Sequence, residues 1–554
     1  MAKNSKQSPQ AKQPASPQAT TATPSSFTFD IHFIAFIVCL LVVAFVRFRL
    51  VSIPFERDEG EYAYIGNLIL QGIPPYANAY NMKLPGTYFM YALIQLIFGE
   101  TVDGVHLGLL IMSLASMTFL YFIGKNVYNA TVGVVASGAF GLMAVSYSVL
   151  GFAAHATHFV TFFALLGLFL FTLWQKSQKF WLSPLIGIAM GMAFLMKQQA
   201  VFFLIFGGCI ILIHYFTTKP LNIISLIINT LLYSIGVFVP YLVTVGIMYQ
   251  AGVFDKFWFW TFEYAQKYAS GVSFEDGKML FNMTWKPMFD EFFMVWIIGM
   301  AAVVLLFIKK HTPFQIALAL GFAIFAFATV CPGFYFRQHY FIPLFPAVAL
   351  LFALGLDFVV KLIGEKVKIV GALPYVLLIL VSSNAIAKGK NYYLKTRPVQ
   401  LCKMIYGSNP FVESLEIARY IQQNSNENDK IAVLGSEPQL FFYADRKSAT
   451  GYIYTYGLME IHDYNTRMQN EMIAEIEKEK PKYMVFARVG TSWLTRPGSP
   501  TIIFDWFNKY SQENYRLCGV ADMVGMNTNY VWDDQALTYQ PQGQELVLIY
   551  VRKN

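Results

Sequence analysis

The stretch Phe55-Glu56-Arg57-Asp58-Glu59-Gly60-Glu61-Tyr62-Ala63-Tyr64 places four acids within six residues, directly after an apolar run from Ile31 to about Val51. A bilayer needs about 20 apolar residues per helical crossing, and this run supplies them. It lacks the small-residue cleavage pattern of a secretory signal, so it reads as an uncleaved first membrane helix. The acids then lie at a membrane surface, where like charges repel unless a cation, a hydrogen-bond donor or a substrate compensates them. A functional site meets that need, and so does a solvated loop held by Arg57.

The rest of the chain fits this start. Of 554 residues, 56% are apolar, 17% aromatic and only 13% charged, against roughly a quarter charged in soluble proteins. That composition excludes a cytosolic enzyme or a nucleic-acid-binding protein and defines a membrane protein. The net charge of +8 reads as topology signalling by Lys and Arg in cytoplasmic loops. Further candidate spans lie near 104–123, 131–149, 158–174, 182–196, 199–215, 222–248, 292–308, 314–330, 339–360 and 369–386, making about eleven. The segment 86–99 is apolar but short, and it reads as interfacial or re-entrant.

Lys125, the turn Gln175-Lys176-Ser177-Gln178-Lys179, Lys219, Lys309-Lys310-His311 and Glu365-Lys366-Val367-Lys368 fall in alternate loops, which are therefore cytoplasmic. The segments 52–103, 150–157, the neighbourhood of Lys197, 249–291 and 331–338 become external, and so does the C-terminal tail. Residues 1–29, rich in Ser, Thr, Gln, Pro, Ala and Lys, predict a disordered cytoplasmic tail. Residues 30–387 form the membrane domain. From 388 to 554 the pattern changes to short apolar strands, Lys430–Gly435 and Tyr483–Ala487, each preceded by a helical stretch, 411–424 and 465–480. That pattern predicts an extracytoplasmic soluble α/β domain. The five cysteines show no metal-ligand spacing, and a Cys402 to Cys518 disulfide stays open.

Several residues at span ends carry chemistry. Lys83, in Asn81-Met82-Lys83-Leu84-Pro85-Gly86, opens the short segment at headgroup depth, where its ammonium meets a lipid phosphate or simply snorkels. Lys197 follows an apolar span and needs a phosphate or a carboxylate as partner. Arg337 and His339, in Cys331-Pro332-Gly333-Phe334-Tyr335-Phe336-Arg337-Gln338-His339, open the tenth span. A planar guanidinium there suits two phosphate oxygens, or belongs to an aromatic belt. The aromatic run Phe257 to Tyr264, with Tyr268 beyond it, offers ring faces on which a sugar stacks. No P-loop, GxGxxG, HExxH or serine-nucleophile motif stands in usable context.

The order helix, Arg57-Asp58-Glu59-Gly60-Glu61-Tyr62-Ala63-Tyr64, Gly72-Ile73-Pro74-Pro75-Tyr76, then Lys83-Leu84-Pro85-Gly86-Thr87-Tyr88 resembles the protein O-mannosyltransferase-like family of class C (GT-C) glycosyltransferases. The likeness extends from about residue 33 to about 360, and related bacterial members include aminoarabinose transferases. It implies an α-helical polytopic GT-C fold of about eleven spans plus interfacial helices. It also implies transfer of a sugar from a polyprenyl phosphate to a glycan, lipid or protein acceptor. Asp58, with Glu59 beside it, matches the family's catalytic base. Lys83 matches the residue that contacts the donor phosphate, and Lys197, Arg337 and His339 are further phosphate candidates.

Where relatives often carry a second acid, this chain has Ala154-His155-Ala156-Thr157-His158. His155 and His158, with Glu61 and Tyr62, are candidate acceptor or sugar contacts. Spaced i and i+3, the two histidines could also share a metal, but no third ligand stands near in sequence. No cofactor is expected, and a divalent metal has no support at this level. The implied partners are membrane lipid, the lipid-linked sugar and the acceptor, with the protein in the cytoplasmic membrane. A secondary transporter, which would need mid-membrane charges and broken helices in matching halves, and a non-catalytic assembly or sensor protein are the alternatives.

The orientation is testable by thiol labelling in intact cells, in a background without reactive native cysteines. A cysteine at position 177 should stay unlabelled by an impermeant reagent, whereas cysteines at 273 and 425 should react. Labelling at 177 would reverse the assignment.

Overall fold

The computed structural model describes residues 30–308, 311–364 and 368–553. The tail 1–29 expected to be disordered lies outside the described residues, as do Lys309, Lys310, Glu365, Lys366 and Val367 of the cytoplasmic-loop signals. The chain opens with α1 (Ile31–Arg49), α2 (Arg57–Leu70), α3 (Gly86–Phe98), α4 (Val102–Val127), α5 (Ala130–Ala144), α6 (Ala156–Ser177), α7 (Leu182–Met196), α8 (Val201–Thr217) and α9 (Ile223–Gln250). Helices Phe293–Ile308, Pro313–Ala328, Phe345–Ile363 and Lys368–Lys388 complete the apolar set.

Each of the eleven apolar runs is thus helical. By length and composition, seven helices among the described residues suit a membrane crossing. They become eight if Phe274–Glu291 and Phe293–Ile308, bent by 99°, count as one span. Helices α5 and α7, at 15 residues each, and Pro313–Ala328, at 16, are apolar but shorter. Helix α3 has 13 residues, a length of about 20 Å, short of the roughly 30 Å hydrocarbon core.

Two stretches expected as loops are helical. The acid-rich stretch forms the first turns of α2 because Glu56 serves as N-cap, its side chain accepting the Glu59 N–H at 3.1 Å. Asp58 and Glu59 then occupy the first turn, where negative charge opposes the helix dipole. The segment 249–291 folds into Phe254–Trp258, a π-helical turn Phe259–Tyr264, Ala265–Ala269 and Phe274–Glu291.

Between α7 and α9 the backbones meet closely: a Cβ on Gly236 would lie 2.1 Å from the Pro184 carbonyl oxygen. Small residues let membrane helices approach where apolar side chains gain nothing over lipid. Beyond Lys388 comes a five-stranded sheet, β1 (Ile431–Leu434), β2 (Tyr483–Arg488), β3 (Tyr515–Val524), β4 (Asn527–Trp532) and β5 (Glu545–Arg552), in the order β1-β2-β5-β3-β4. Only the β1–β2 pair is parallel, as its intervening helix Asn465–Glu479 requires. Helices Glu413–Gln423 and Asn465–Glu479 precede the first two strands, in the predicted arrangement. Cys402 and Cys518 are buried free thiols.

The tail packs directly on α2. The Ser448 N–H donates to the Tyr64 hydroxyl at 2.8 Å, and the Phe55 N–H donates to Tyr443 at 2.7 Å. At Gly60 a Cβ would lie 2.6 Å from both the Cβ and the backbone nitrogen of Gln439. Helix propensity alone predicts that Gly60→Ala stabilises by about 1 kcal/mol. The rigid Gln439 backbone reverses that sign, because overpacking costs about 1–3 kcal/mol. Gly60→Ala should therefore lower the melting temperature in detergent, and a rise would show that the tail gives way easily.

Candidate functional site

On a helix each residue turns by about 100°, so neighbouring acids diverge. Asp58 and Glu61 share one face, and both meet Lys83, whose Nζ lies 3.0 Å from Asp58 Oδ1 and 2.7 Å from Glu61 Oε2. Lys83 comes from the segment before α3 and also sits 4.5 Å from the centre of the Tyr62 ring. Glu61 accepts the Tyr88 hydroxyl at 2.7 Å. Glu59 points the other way and is fully buried, bonded to His106 Nε2 at 2.8 Å and to the Ala154 N–H at 2.6 Å.

Arg57 does not compensate the acids of its own stretch. Its guanidinium donates to the Ser436 carbonyl, to Tyr456 and Glu437 at 2.7 Å each, and to Asn409 at 3.2 Å, all in the tail. The picture of a solvated loop held by Arg57 is corrected accordingly: the stretch is a buried helix start, and Lys83 is the cation.

Burial works to raise the Asp58 carboxyl, but Lys83 beside it prevails and holds it at about 2. Burial also works against the Lys83 ammonium, yet Asp58 and Glu61 push its pKa above the ordinary value. Glu61 is raised by burial, with Lys83 opposing. The result at neutral pH is a charged Asp58–Lys83 pair.

A cavity of about 260 Å³ opens beside this pair, and Asp58, Lys83, His155, Arg337 and His339 all line it. Residues more than 250 positions apart thus converge on one cavity. Glu56 joins them, an acid that sequence reasoning noted only as one of four. Glu61 and Tyr62 back Lys83 instead of forming the wall. Lys197 stands behind the wall residue Tyr340, its Nζ 3.3 Å from the ring centre. It makes no ion pair among the described residues, and burial drives its pKa far below the ordinary value. His158 is elsewhere. It borders a separate small cavity in the helix bundle with Arg47, Ser113 and Thr161, because His155 is the N-cap of α6 with non-helical backbone, so helical i, i+3 spacing does not align the two rings.

The pairing of His155 with His158 is therefore corrected: His155 instead stacks on His339, ring centres 3.9 Å apart at 14°. Asp58, His155 and His339 bring three donor atoms within 4.8 Å of one another. Burial lowers His155 to about 4, leaving it neutral at pH 7, and neither of its ring nitrogens has a hydrogen-bond partner among the described residues. Two imidazoles and a carboxylate suit Zn²⁺ or a similar divalent ion with an open position.

The part of the wall that the tail supplies was not legible as part of the site. Tyr454, Tyr456 and Glu460 come from the tail, facing Trp260, Tyr264 and Tyr268 of the 249–291 segment. The Tyr454 hydroxyl lies 3.4 Å from Asp58 Oδ1. In the sequence the run 257–264 offers ring faces to a sugar, and the tail's run Tyr452-Ile453-Tyr454-Thr455-Tyr456 carries a comparable signal.

Residues 82–243 match the family model described as dolichyl-phosphate-mannose-protein mannosyltransferase. No curated protein matches the chain by sequence. Among solved structures, ArnT from Cupriavidus metallidurans bound to undecaprenyl phosphate is similar at 17% identity and a TM-score of 0.57, over 93% of this chain and 97% of that one. The oligosaccharyltransferase AglB from Archaeoglobus fulgidus, in complex with an inhibitory peptide and a dolichol-phosphate, is similar at 13% identity and a TM-score of 0.51, over 92% of this chain and 75% of that one. The chain has the GT-C glycosyltransferase fold of multi-span membrane proteins, with a small C-terminal sheet.

The geometry makes Glu59 an internal strut. Glu59→Ala leaves His106 Nε2 and the Ala154 N–H without a partner, at about 1–3 kcal/mol for each buried group left unpaired. The melting temperature of the purified protein should fall. A variant as stable as wild type that no longer transfers sugar would return Glu59 to the catalytic role.

Proposed function

We propose that the protein moves a hexosyl or pentosyl group from a polyprenyl-phosphate donor to an acceptor hydroxyl, at the extracytoplasmic face of the cytoplasmic membrane. The observation that carries this reading is the single cavity in which Asp58 stands with Lys83 and Arg337. The acceptor oxygen attacks the anomeric carbon, and its proton passes to an Asp58 carboxylate oxygen. The bond from the anomeric carbon to the phosphate oxygen breaks, its electron pair stays on the lipid phosphate, and one displacement inverts the centre.

A carboxylate held at about 2 is a weak base, and the donor corrects this. A phosphate that draws Lys83 toward itself removes the charge depressing Asp58, whose pKa then moves back toward the ordinary value of about 3.9. Lys83 and Arg337 meanwhile oppose the charge gathering on the leaving phosphate, and Lys197, buried behind Tyr340, becomes a third cation only if the phosphate's charge draws a proton onto it. Asp58, His155 and His339 would hold a divalent ion, which supplies further stabilisation of phosphate charge when bound.

Asp58→Asn should lower release of polyprenyl phosphate from the lipid-linked sugar by about a hundredfold or more while lipid binding persists. Lys83→Ala and Arg337→Ala should each weaken binding of polyprenyl phosphate by about 1.5–3 kcal/mol. Near-normal turnover in Asp58→Asn would remove it as the base. Unchanged lipid affinity in both cation variants would leave snorkelling as their role.

A further inference from the structure

Glu460 places a third kind of group in the cavity, and the transfer mechanism does not use it. Its Oε2 accepts the Tyr264 hydroxyl at 2.8 Å, while its Oε1 accepts no hydrogen bond among the described residues. No Lys or Arg is paired with it; Arg337 and Arg496 act on it only at longer range. A half-buried carboxylate with one free oxygen, set in a cavity that receives a phosphate, repels that phosphate. Its free oxygen, open to the cavity, instead suits a ligand part that donates hydrogen bonds.

The surroundings say what that part is. Trp260 and Tyr264 lie four residues apart on the π-helical turn Phe259–Tyr264, and both face the cavity. Such turns recur at functional sites because the added residue re-aims side chains. Tyr80 stacks on Trp260 at 5.8 Å and 20°, and Tyr264 meets Trp260 edge-on at 5.1 Å. The tail segment is pressed against this platform, since a Cβ on Gly457 would lie 2.6 Å from the Tyr264 hydroxyl oxygen. An aromatic face beside a carboxylate with a free oxygen suits a ring with C–H bonds on one face and hydroxyls at its rim.

We propose that Glu460, Tyr264 and Trp260 form a carbohydrate subsite that grips the hydroxyl-bearing ring of the transferred sugar or of a glycan acceptor, so that the tail takes part in choosing the sugar. This rests on the sugar-transfer reading above. Glu460 and Trp260 contact the ring, and Tyr264 is a positioning residue that holds the carboxylate.

The test compares the full-length protein with Glu460→Gln, Trp260→Ala and Tyr264→Phe in nanodiscs. The probes are bare polyprenyl phosphate and a panel of polyprenyl-phosphate hexoses and pentoses, with turnover of the best donor followed against acceptor concentration. Trp260→Ala and Tyr264→Phe should bind the bare lipid as wild type does, and Glu460→Gln, which lacks the repelling charge, at least as tightly. Wild type should bind one sugar-bearing lipid at least tenfold more tightly than the bare one, and Glu460→Gln should lose that surplus. Tyr264→Phe, which keeps the ring, should lose less of it.

A surplus retained alongside an acceptor KM raised tenfold or more would place the acceptor glycan, not the donor sugar, on Glu460. If donor surplus and acceptor KM both match wild type in Glu460→Gln and Trp260→Ala, the subsite is refuted while sugar transfer stands. If wild type binds neither bare nor sugar-bearing lipid, the transfer reading falls first and takes the subsite with it.

Discussion

The buried ion pair between Arg57 and Glu437, at 2.7 Å, decides how every other charge at the site is distributed. Burying a guanidinium costs several kcal/mol unless its donors are met. Here they are met by Ser436, Tyr456, Asn409 and Glu437, with the Phe411 and Tyr456 rings 5.2 and 5.4 Å from its carbon. Arg57 is the nearest cation to Asp58 along the chain, and a guanidinium there would fix the carboxylate permanently. Because the tail takes up Arg57, Asp58 is left to Lys83, a flexible point charge that a phosphate can recruit.

The Asp58–Lys83–Glu61 cluster therefore sets two carboxyl groups around one ammonium, with Arg337 on the wall of the same cavity. A phosphate entering this field competes with two carboxylates for one ammonium. That competition couples donor arrival to the basicity of Asp58 without a moving element, because the same nitrogen serves both. Glu59, tied to His106 and the Ala154 amide, stays outside the exchange and holds the start of α2 against the turn before α6.

The membrane helices were legible because burial in lipid leaves a long, uniform signature: each of the eleven apolar runs is helical. The helix at Arg57 was not, since its start depends on Glu56 acting as a cap within a charged run that also reads as a solvated loop. Asp58, Lys83 and Arg337 could be found because they flank apolar segments and match a motif in order. Separating Asp58 from Glu59 required the helical turn between them, and separating His155 from His158 required knowing that His155 caps α6 with non-helical backbone and stacks on His339. Glu460 was invisible to such reasoning. Its partner Tyr264 lies 196 positions away, and nothing local distinguishes it from other acids of the tail.

The strand β5 runs through the middle of the sheet, hydrogen-bonded to β2 on one side and β3 on the other. It follows the other described strands and helices in order of synthesis, so the sheet cannot close while the ribosome is still making it. The tail supplies Glu437 to Arg57 and Tyr454 to the cavity wall, and both are made after the membrane helices. The membrane helices are thus threaded into the bilayer before the wall that completes their cavity exists, and a nascent chain has an open cleft with an unclamped Arg57. Assembly order itself withholds the finished site until the tail has folded.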